Sequence, residues 1–419
     1  MMKEFAEVTC PFCGLLCDDL VISSNSHHLK TIKNACAKAT SCFEAPIVDI
    51  KPKIKNKAVS IEAAIKHAIE ILSASYTPLL TGLGTDASGM RQLMNLADLK
   101  GAVIDHMHGN ALMRNTLVMQ DLGWIMTTMT EIRNRADMII FVGTDATNYP
   151  RFFERAIWPN KSMFGLKNEE KDIIYIGENL NIRSGISPKG KKPTVLKCQN
   201  DDINEIISTI HALISGSTID VEKVAGIKAG VLEKLADKIK QASYGVIVWA
   251  PAELNVPHAE LTIQSLTELA KYLTRSTRFS GFTLGGNDGA TTANSLCAWQ
   301  SGYPLRVNFN KGFPDYEPNR YSTNNVLKNK EVDSLLWVSS FSDTHKPPKA
   351  LIPSIVLAMP STKIGYTPDV FIPVSTPGID HAGQLNRTDT VITLMLKKLR
   401  TSPYPSVANV IEKMIEGLR

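Results

Sequence analysis

Nowhere in this 419-residue chain does an apolar run reach the ~20 residues needed to cross a bilayer, so no membrane span is expected. The opening Met-Met-Lys-Glu-Phe has no apolar core and no cleavage pattern, so no export signal is read and a cytoplasmic location is expected. Charge of one sign is also scarce. The 46 basic and 41 acidic residues leave a formal +5, with only short basic clusters at 51–57 and 190–192, too diffuse to argue for nucleic acid. Tandem repeats and low-complexity segments are missing. So is a proper dinucleotide fingerprint, which Gly82-Leu-Gly84 with Gly89 imitates only loosely.

Cysteine is sparse over most of the chain. Cys198 and Cys297 stand alone, while Cys10, Cys13, Cys17, Cys36 and Cys42 crowd into the first tenth. In a reducing compartment these are thiols or metal ligands rather than disulfides. Cys10-Pro-Phe-Cys13-Gly-Leu-Leu-Cys17 spaces three thiols along one loop, and Cys36 follows a hairpin-like stretch. Such a set suits a cubane iron-sulfur cluster or a zinc ion, the alternative being a retained loop with empty thiols. Gly14 is expected to ease the turn. Cys42 reads as a small buried residue.

The rest alternates between strands and helices. Ser60 and Glu62 open a helix with an apolar stripe at Ile61, Ala64, Ile65, Ala68, Ile69 and Leu72. Pro78 to Gly84 is a strand, a helix begins at Ser88, and Ala102 to Ile104 is the next strand, which makes a parallel β-α-β unit. Strands are also read at Ala136 to Gly143, Asp172 to Gly177, Tyr244 to Trp249, Ser334 to Ser339, Ser354 to Ala358 and Asp369 to Val374. Helices are read at Ile203 to Ile214, Val221 to Gln241, Ala259 to Tyr272 and, last, Thr390 to Leu399. The fold class is therefore α/β: a small N-terminal cysteine-bearing lobe over 1–52, then two doubly wound parallel-sheet domains. The first domain covers 53–150 and resumes at 321–419; the second, over 151–320, is inserted in it.

Ligands of open α/β sheets sit at the carboxyl ends of strands. Three loops there are of interest. Asp105-His106-Met107-His108-Gly109-Asn110 offers a thioether and two imidazoles, which either meet a ligand or fill a core gap and bond to backbone. Thr144 to Pro150 is polar, through ligand contact or turn chemistry. Gly281 to Ala290 holds four glycines in its first nine residues, which lets backbone approach a ligand or another segment closely. Nearby, Trp299 to Pro304 and Asn308 to Gly312 are expected to be loops suited equally to a heteroaromatic ligand or to a contact between subunits.

These residues resemble the B subunit of formylmethanofuran dehydrogenase, within the molybdopterin oxidoreductases. The resemblance runs through nearly the whole chain. It is carried by Cys10 to Asp19 with Asn34-Ala35-Cys36, by Gln120 to Gly123, Glu131 to Asp137, Trp299 to Pro304 and Pro377 to Ile379. It implies a molybdopterin-oxidoreductase fold, with a [4Fe–4S] cluster on the four cysteines. It also implies tungsten or molybdenum on two pterin guanine dinucleotides, ligated by the cysteine or selenocysteine of a Cys-His-Gly motif. This chain departs from that pattern: Met107-His108-Gly109 replaces Cys-His-Gly, and Gly285-Gly286-Asn287 stands where the family's Arg-Gly-His is expected.

A neutral thioether binds a high-valent metal far less well than a thiolate. Loss of the arginine would remove stabilisation worth about 3–4 kcal/mol. The departures match one subgroup, the B subunit of the bacterial formyltransferase/hydrolase complex, in which the resemblance implies no redox step. The expected role is a catalytically silent scaffold in tetrahydromethanopterin-linked one-carbon metabolism, from formaldehyde to formate. The expected partners are the other subunits of the complex (a formyltransferase, a zinc amidohydrolase and the C subunit), with a methanofuran-like carrier bound by the complex. No tungsten or molybdenum pterin is expected, and no residue is expected to be catalytic; Met107, His108, Gly109 and Gly285 mark a vestigial site. Cys10, Cys13, Cys17 and Cys36 remain candidates for a [4Fe–4S] cluster or zinc. The alternative is a redox-active tungsten or molybdenum formylmethanofuran dehydrogenase component with atypical ligation. A formate dehydrogenase fragment fits less well, since the chain is short for that class.

Overall fold

The structure is a computed structural model that describes residues 3–419. The chain divides into two compact units, one running to Asn110 and resuming at Gly286–Arg419, the other Ala111–Gly285. The insertion thus begins 40 residues before the expected Arg151 and ends 35 before Arg320. The cysteine-bearing N-terminus is part of the first unit rather than a domain of its own. Among the described residues no helix is long and apolar enough to cross a membrane.

The first unit opens with an antiparallel sheet of Lys3–Val8 (β1), Leu20–Ser24 (β2) and Leu29–Lys33 (β3). The helix Ala37–Phe43 (α1) follows, with Cys36 at its N-cap and Cys42 half-buried within it. A small hairpin of Lys53–Ile54 (β4) and Lys57–Ala58 (β5) leads to Ile61–Ala74 (α2). The Ser60 hydroxyl accepts the Ala63 N–H at 3.2 Å, and Glu62 complements the helix dipole. The predicted stripe is the buried face: Ala64, Ile65, Ala68 and Leu72. Next come Pro78–Gly84 (β6), Ala87–Lys100 (α3) and Val103–Ile104 (β7); the helix Gly109–Leu122 (α4) begins in this unit but belongs to the inserted one from Ala111 on. Helix α3 already includes Ala87, ahead of the expected Ser88, because Asp86 is the cap and accepts the Ser88 and Gly89 N–H groups.

The inserted unit contains Met129–Asn134 (α5), Met138–Val142 (β8), Asp172–Ile176 (β9), Thr194–Leu196 (β10) and Ile203–Ile214 (α6). Residues 221–241, expected as one helix, are a hairpin of Lys223–Val224 (β11) and Ile227–Lys228 (β12) followed by Ala229–Lys240 (α7). Gly226 at φ 76° supplies the turn that breaks the helix. Tyr244–Trp249 (β13), Ala259–Leu273 (α8) and Arg278–Thr283 (β14) complete the unit. The order β10-β9-β8-β13-β14 is parallel throughout, a doubly wound arrangement with its switch between β8 and β13. Strand β14 covers the start of the glycine-rich stretch, so Gly281 is strand and not loop; a Cβ there would press on Trp249.

The returning chain forms Ala290–Ser301 (α9), Val307–Asn308 (β15), Asp315–Tyr316 (β16), Thr323–Lys328 (α10) and Ser334–Ser339 (β17). It ends with Ser354–Ala358 (β18), Val370–Pro373 (β19), Gly383–Asn386 (β20), Thr393–Leu396 (β21) and Val407–Leu418 (α11). Two expectations fail here. Trp299 lies in the last turn of α9, not in a loop. Residues 390–399 hold β21 of a hairpin, not the last helix: Leu396 points in and Met395 out, a two-residue alternation. The last helix is α11, capped by Ser406.

The main sheet of the first unit runs β16-β15-β7-β6-β17-β18-β19-β4-β5, with parallel pairing from β7 to β19. Chain order reverses beside β6, whose neighbours are β7 on one side and β17 on the other. That switch point is where a crevice opens at the carboxyl ends of the strands.

Candidate functional site

The site grows from the end of β7. Asp105, only 2% exposed, is held by three donors: Arg306 Nε at 3.2 Å, Thr323 N–H at 2.8 Å and Thr323 Oγ1 at 2.9 Å. Arg306 is also buried, and it donates to the Pro318 carbonyl at 2.6 Å and to Asn110 Oδ1. This paired, fully bonded charge fixes both ends of the 105–110 loop. Gly109 is required beside it, because a Cβ at that position would collide with the Asp105 carboxylate. A second device sits in β6: Gly82 and Leu83 have φ 78° and 56°, and the pairing with β17 shifts register there. Such a bulge re-aims a strand end.

His106 is buried and oriented by two bonds. Its Nδ1 accepts the His108 N–H at 3.0 Å, which leaves Nε2 to donate to the Asp288 carbonyl at 3.3 Å. Burial, then the neighbouring His108, pushes its pKa down to about 3. His108 Nε2 lies 2.8 Å from Asp288 Oδ2, and His345 Nε2 approaches the same oxygen at 3.2 Å. Burial works to raise the Asp288 pKa, but hydrogen bonds to His108 and His345 outweigh it, so the carboxylate is held well below its usual range. The hydrogen bond to Asp288 raises His345. Asp288 itself has φ 53°, between Gly286 at 78° and Gly289 at 74°.

Met107 packs on the cluster of Trp337, Val356, Ala358 and Phe371, and its Cε lies 3.0 Å from where a Gly84 Cβ would stand. A cavity of about 210 Å³ adjoins it, lined among others by Thr81, His106, Asn324, Trp337 and Lys346. That is smaller than the ~300–1,000 Å³ usual for a ligand pocket.

The cysteine loop is closed by Cys10 N–H to Cys17 O at 2.8 Å and Leu16 N–H to Cys13 O at 3.1 Å. Leu16, not Gly14, takes the left-handed turn position, with φ 43°. Gly14 serves otherwise: its N–H donates to Asn287 Oδ1 at 3.1 Å, and its carbonyl accepts Thr388 N–H at 2.9 Å. Cys10, Cys13 and Cys17 are buried and Cys36 is half-buried. Burial pushes the Cys10 thiol up, and Cys13, Cys17 and Cys36 all add to the rise; burial raises Cys13 too. The four sulfurs are therefore neighbours, but spread out. Among the described residues, the one group of three or more such donors mutually within 4.8 Å is His108, Asp288 and His345. A tetrahedral zinc with Zn–S of ~2.3 Å would need sulfurs about 3.8 Å apart. A cubane, with iron at several corners, spaces its thiolates wider than that.

Gly285 is the last residue of the inserted unit, while Asn287 belongs to the first. Asp288 lies inside the glycine-rich stretch, where nothing in the sequence marks it as a donor. His345 belongs to none of the three loops of interest in the sequence. Its signal is its place just beyond the carboxyl end of β17, next to the switch point.

No protein-family model matches the chain. It is 27% identical over 424 residues to the B subunit of tungsten-containing formylmethanofuran dehydrogenase 2 from Methanocaldococcus jannaschii, covering 96% of this chain and 95% of that protein. The Methanococcus maripaludis counterpart is 25% identical, with 99% and 98% covered. The chain is a homologue of the formylmethanofuran dehydrogenase B subunit. The B subunit of the formyltransferase/hydrolase complex of Methylorubrum extorquens is 27% identical over 341 residues, 79% of this chain and 87% of that one.

In fold, the chain matches one from the crystal structure of the FhcABCD formyltransferase/hydrolase complex of Methylorubrum extorquens with methylofuran. That match has TM-score 0.73 and 23% identity, over 88% of this chain and 98% of that one. Acetylene hydratase of Pelobacter acetylenicus aligns with 99% of this chain and 69% of its own at TM-score 0.65 and 10% identity. The expected molybdopterin-oxidoreductase-like α/β fold is thereby found. Met107, expected from the sequence at the place of that family's Cys-His-Gly cysteine, is turned into an apolar cluster.

Proposed function

We propose that the chain is the B subunit of a formyltransferase/hydrolase-type complex in one-carbon metabolism, and that it takes no part in a redox step. One observation carries this reading: the Met107 side chain packs on Trp337 and its apolar neighbours. A high-valent tungsten or molybdenum on dithiolenes is held far less well by a neutral thioether than by a thiolate, and a thioether cannot become anionic. The residues present therefore do not fit that group, and no step is routed through it. The role that remains is structural, a wall for partner subunits (a formyltransferase, a zinc amidohydrolase and the C subunit) and for a methanofuran-like carrier.

The four cysteines fit a [4Fe–4S] cluster, which in other settings passes electrons; here it would staple β1 to α1, since cluster binding adds to folding free energy. An absorption band near 400 nm, lost in Cys13→Ser, is expected on this view; a colourless zinc protein would overturn it.

The persistence of that cysteine set favours a second reading, a redox-active protein with atypical ligation. Formate-dependent reduction of a viologen dye by the anaerobically purified complex separates the two. We expect no turnover, and sustained reduction would overturn the proposal.

A further inference from the structure

We propose that His108 Nε2, Asp288 Oδ2 and His345 Nε2 hold a divalent transition-metal ion, zinc before others. The three donors come from separate stretches of the first unit: the loop after β7, the turn before α9 and the loop after β17. They meet at the switch point of the main sheet, where ligands of such folds bind. Zinc–nitrogen and zinc–oxygen bonds of ~2.0–2.1 Å put tetrahedral ligands about 3.3 Å apart. The two imidazole-to-carboxylate separations are 2.8 and 3.2 Å, and the imidazole nitrogens lie within 4.8 Å of each other.

The set is supported from behind. The His106 ring stacks on His108 with centroids 5.4 Å apart, and its Nε2 holds the Asp288 carbonyl. His106 thereby positions two of the three donors without being one. Asp288 reaches the pair only because its backbone adopts φ 53°. The carboxylate is 10% exposed, but the His108 and His345 side chains are 25% and 39% exposed, so an ion can enter. Two imidazoles with one carboxylate form a mixed N/O set that favours zinc or iron(II) over magnesium or calcium. Three protein ligands leave a position for water or an oxygen ligand.

Without an ion, the same contacts require both imidazoles to present an N–H to one carboxylate oxygen. An ion replaces those two protons and gives each ring nitrogen a better partner. Lys38 is the cation whose charge acts on His345, and it opposes protonation there. This inference stands apart from the redox reading, because zinc at this set requires nothing of Met107.

The test is zinc titration of the chelator-stripped complex against a chromophoric competitor, for wild type, His345→Gln, Asp288→Asn and Cys13→Ser. One tight site per chain, over and above those of the zinc amidohydrolase partner, is expected in wild type and in Cys13→Ser, and this additional site is weakened at least 100-fold in His345→Gln and Asp288→Asn. Zinc should raise the thermal midpoint of wild type by more than that of His345→Gln. His345 is half exposed, so its variant keeps the fold if Asp288→Asn does not, and circular dichroism checks this. The cobalt ligand-field bands of Cys13→Ser should exceed those of His345→Gln by the intensity of one site per chain. The same number and affinity of tight zinc sites in wild type and His345→Gln, or loss of the additional site in Cys13→Ser, overturns the proposal. Tungsten and molybdenum measured in the same samples report separately on the redox reading.

Discussion

Replacing Arg306 by Met should release the loop that carries His106, Met107 and His108. The guanidinium is 6% exposed and Asp105 is 3% exposed in their side chains. Taking away one member of a buried, bonded pair leaves an uncompensated charge and costs about 3–5 kcal/mol. The first unit spans residues 1–110 and 286–419, so 110 plus 134 gives 244 residues. For a unit of that size each kcal/mol moves the melting midpoint by about 2–4 °C, so a fall of about 6–20 °C is expected by calorimetry. Asp105→Asn alone should cost less, since the Thr323 N–H and hydroxyl still find an oxygen. The double variant should lose less than the sum of the two, with a coupling of about 0.5–3 kcal/mol. A midpoint for Arg306→Met within about 2 °C of wild type would refute the claim that this pair anchors the loop, taking ~2–4 °C per kcal/mol as the scale.

Met107→Ala should cost about 1–2 kcal/mol in urea unfolding, below the range for fully buried methionines because Met107 is only partly buried; no change would mean that the thioether is not packed. His106 has a folded pKa below its unfolded value of 6.5. The unfolded chain therefore takes up the proton first as pH falls, and stability drops from about pH 6.5 towards pH 3. In chelator at pH 5.5 this amounts to about 1.4 kcal/mol, and His106→Asn should flatten that slope; an unchanged slope would contradict the assignment. In the metal-free chain Cys10 and Cys13 should alkylate far more slowly at pH 8 than a free peptide thiol, as burial and raised pKa values demand. Peptide-like rates, read by mass spectrometry, would show the loop to be open.

Much of this architecture was written in local pattern. The Ser60 cap and its stripe, the buried strands at 78–84, 138–142 and 244–249, and the C-x2-C-x3-C loop each carry a short-range physical signal. The edges of the insertion carry none, because both units use the same strand-helix alternation and only long-range packing tells them apart. Residues 390–399 misled for a related reason: a short apolar run satisfies helix and strand alike, and pairing with β20 decided it. Within the site, Met107 and His108 were visible as a departure from a family pattern. Asp288 and His345 were not, since His345 lies 237 positions after His108 and only the sheet's switch point joins them.

Elemental analysis of the purified native complex tests the central claim most directly. On the proposed reading of Met107, tungsten and molybdenum should be absent at the level of one atom per chain, and no pterin should be released on denaturation. One tungsten or molybdenum per chain, together with pterin, would contradict the account.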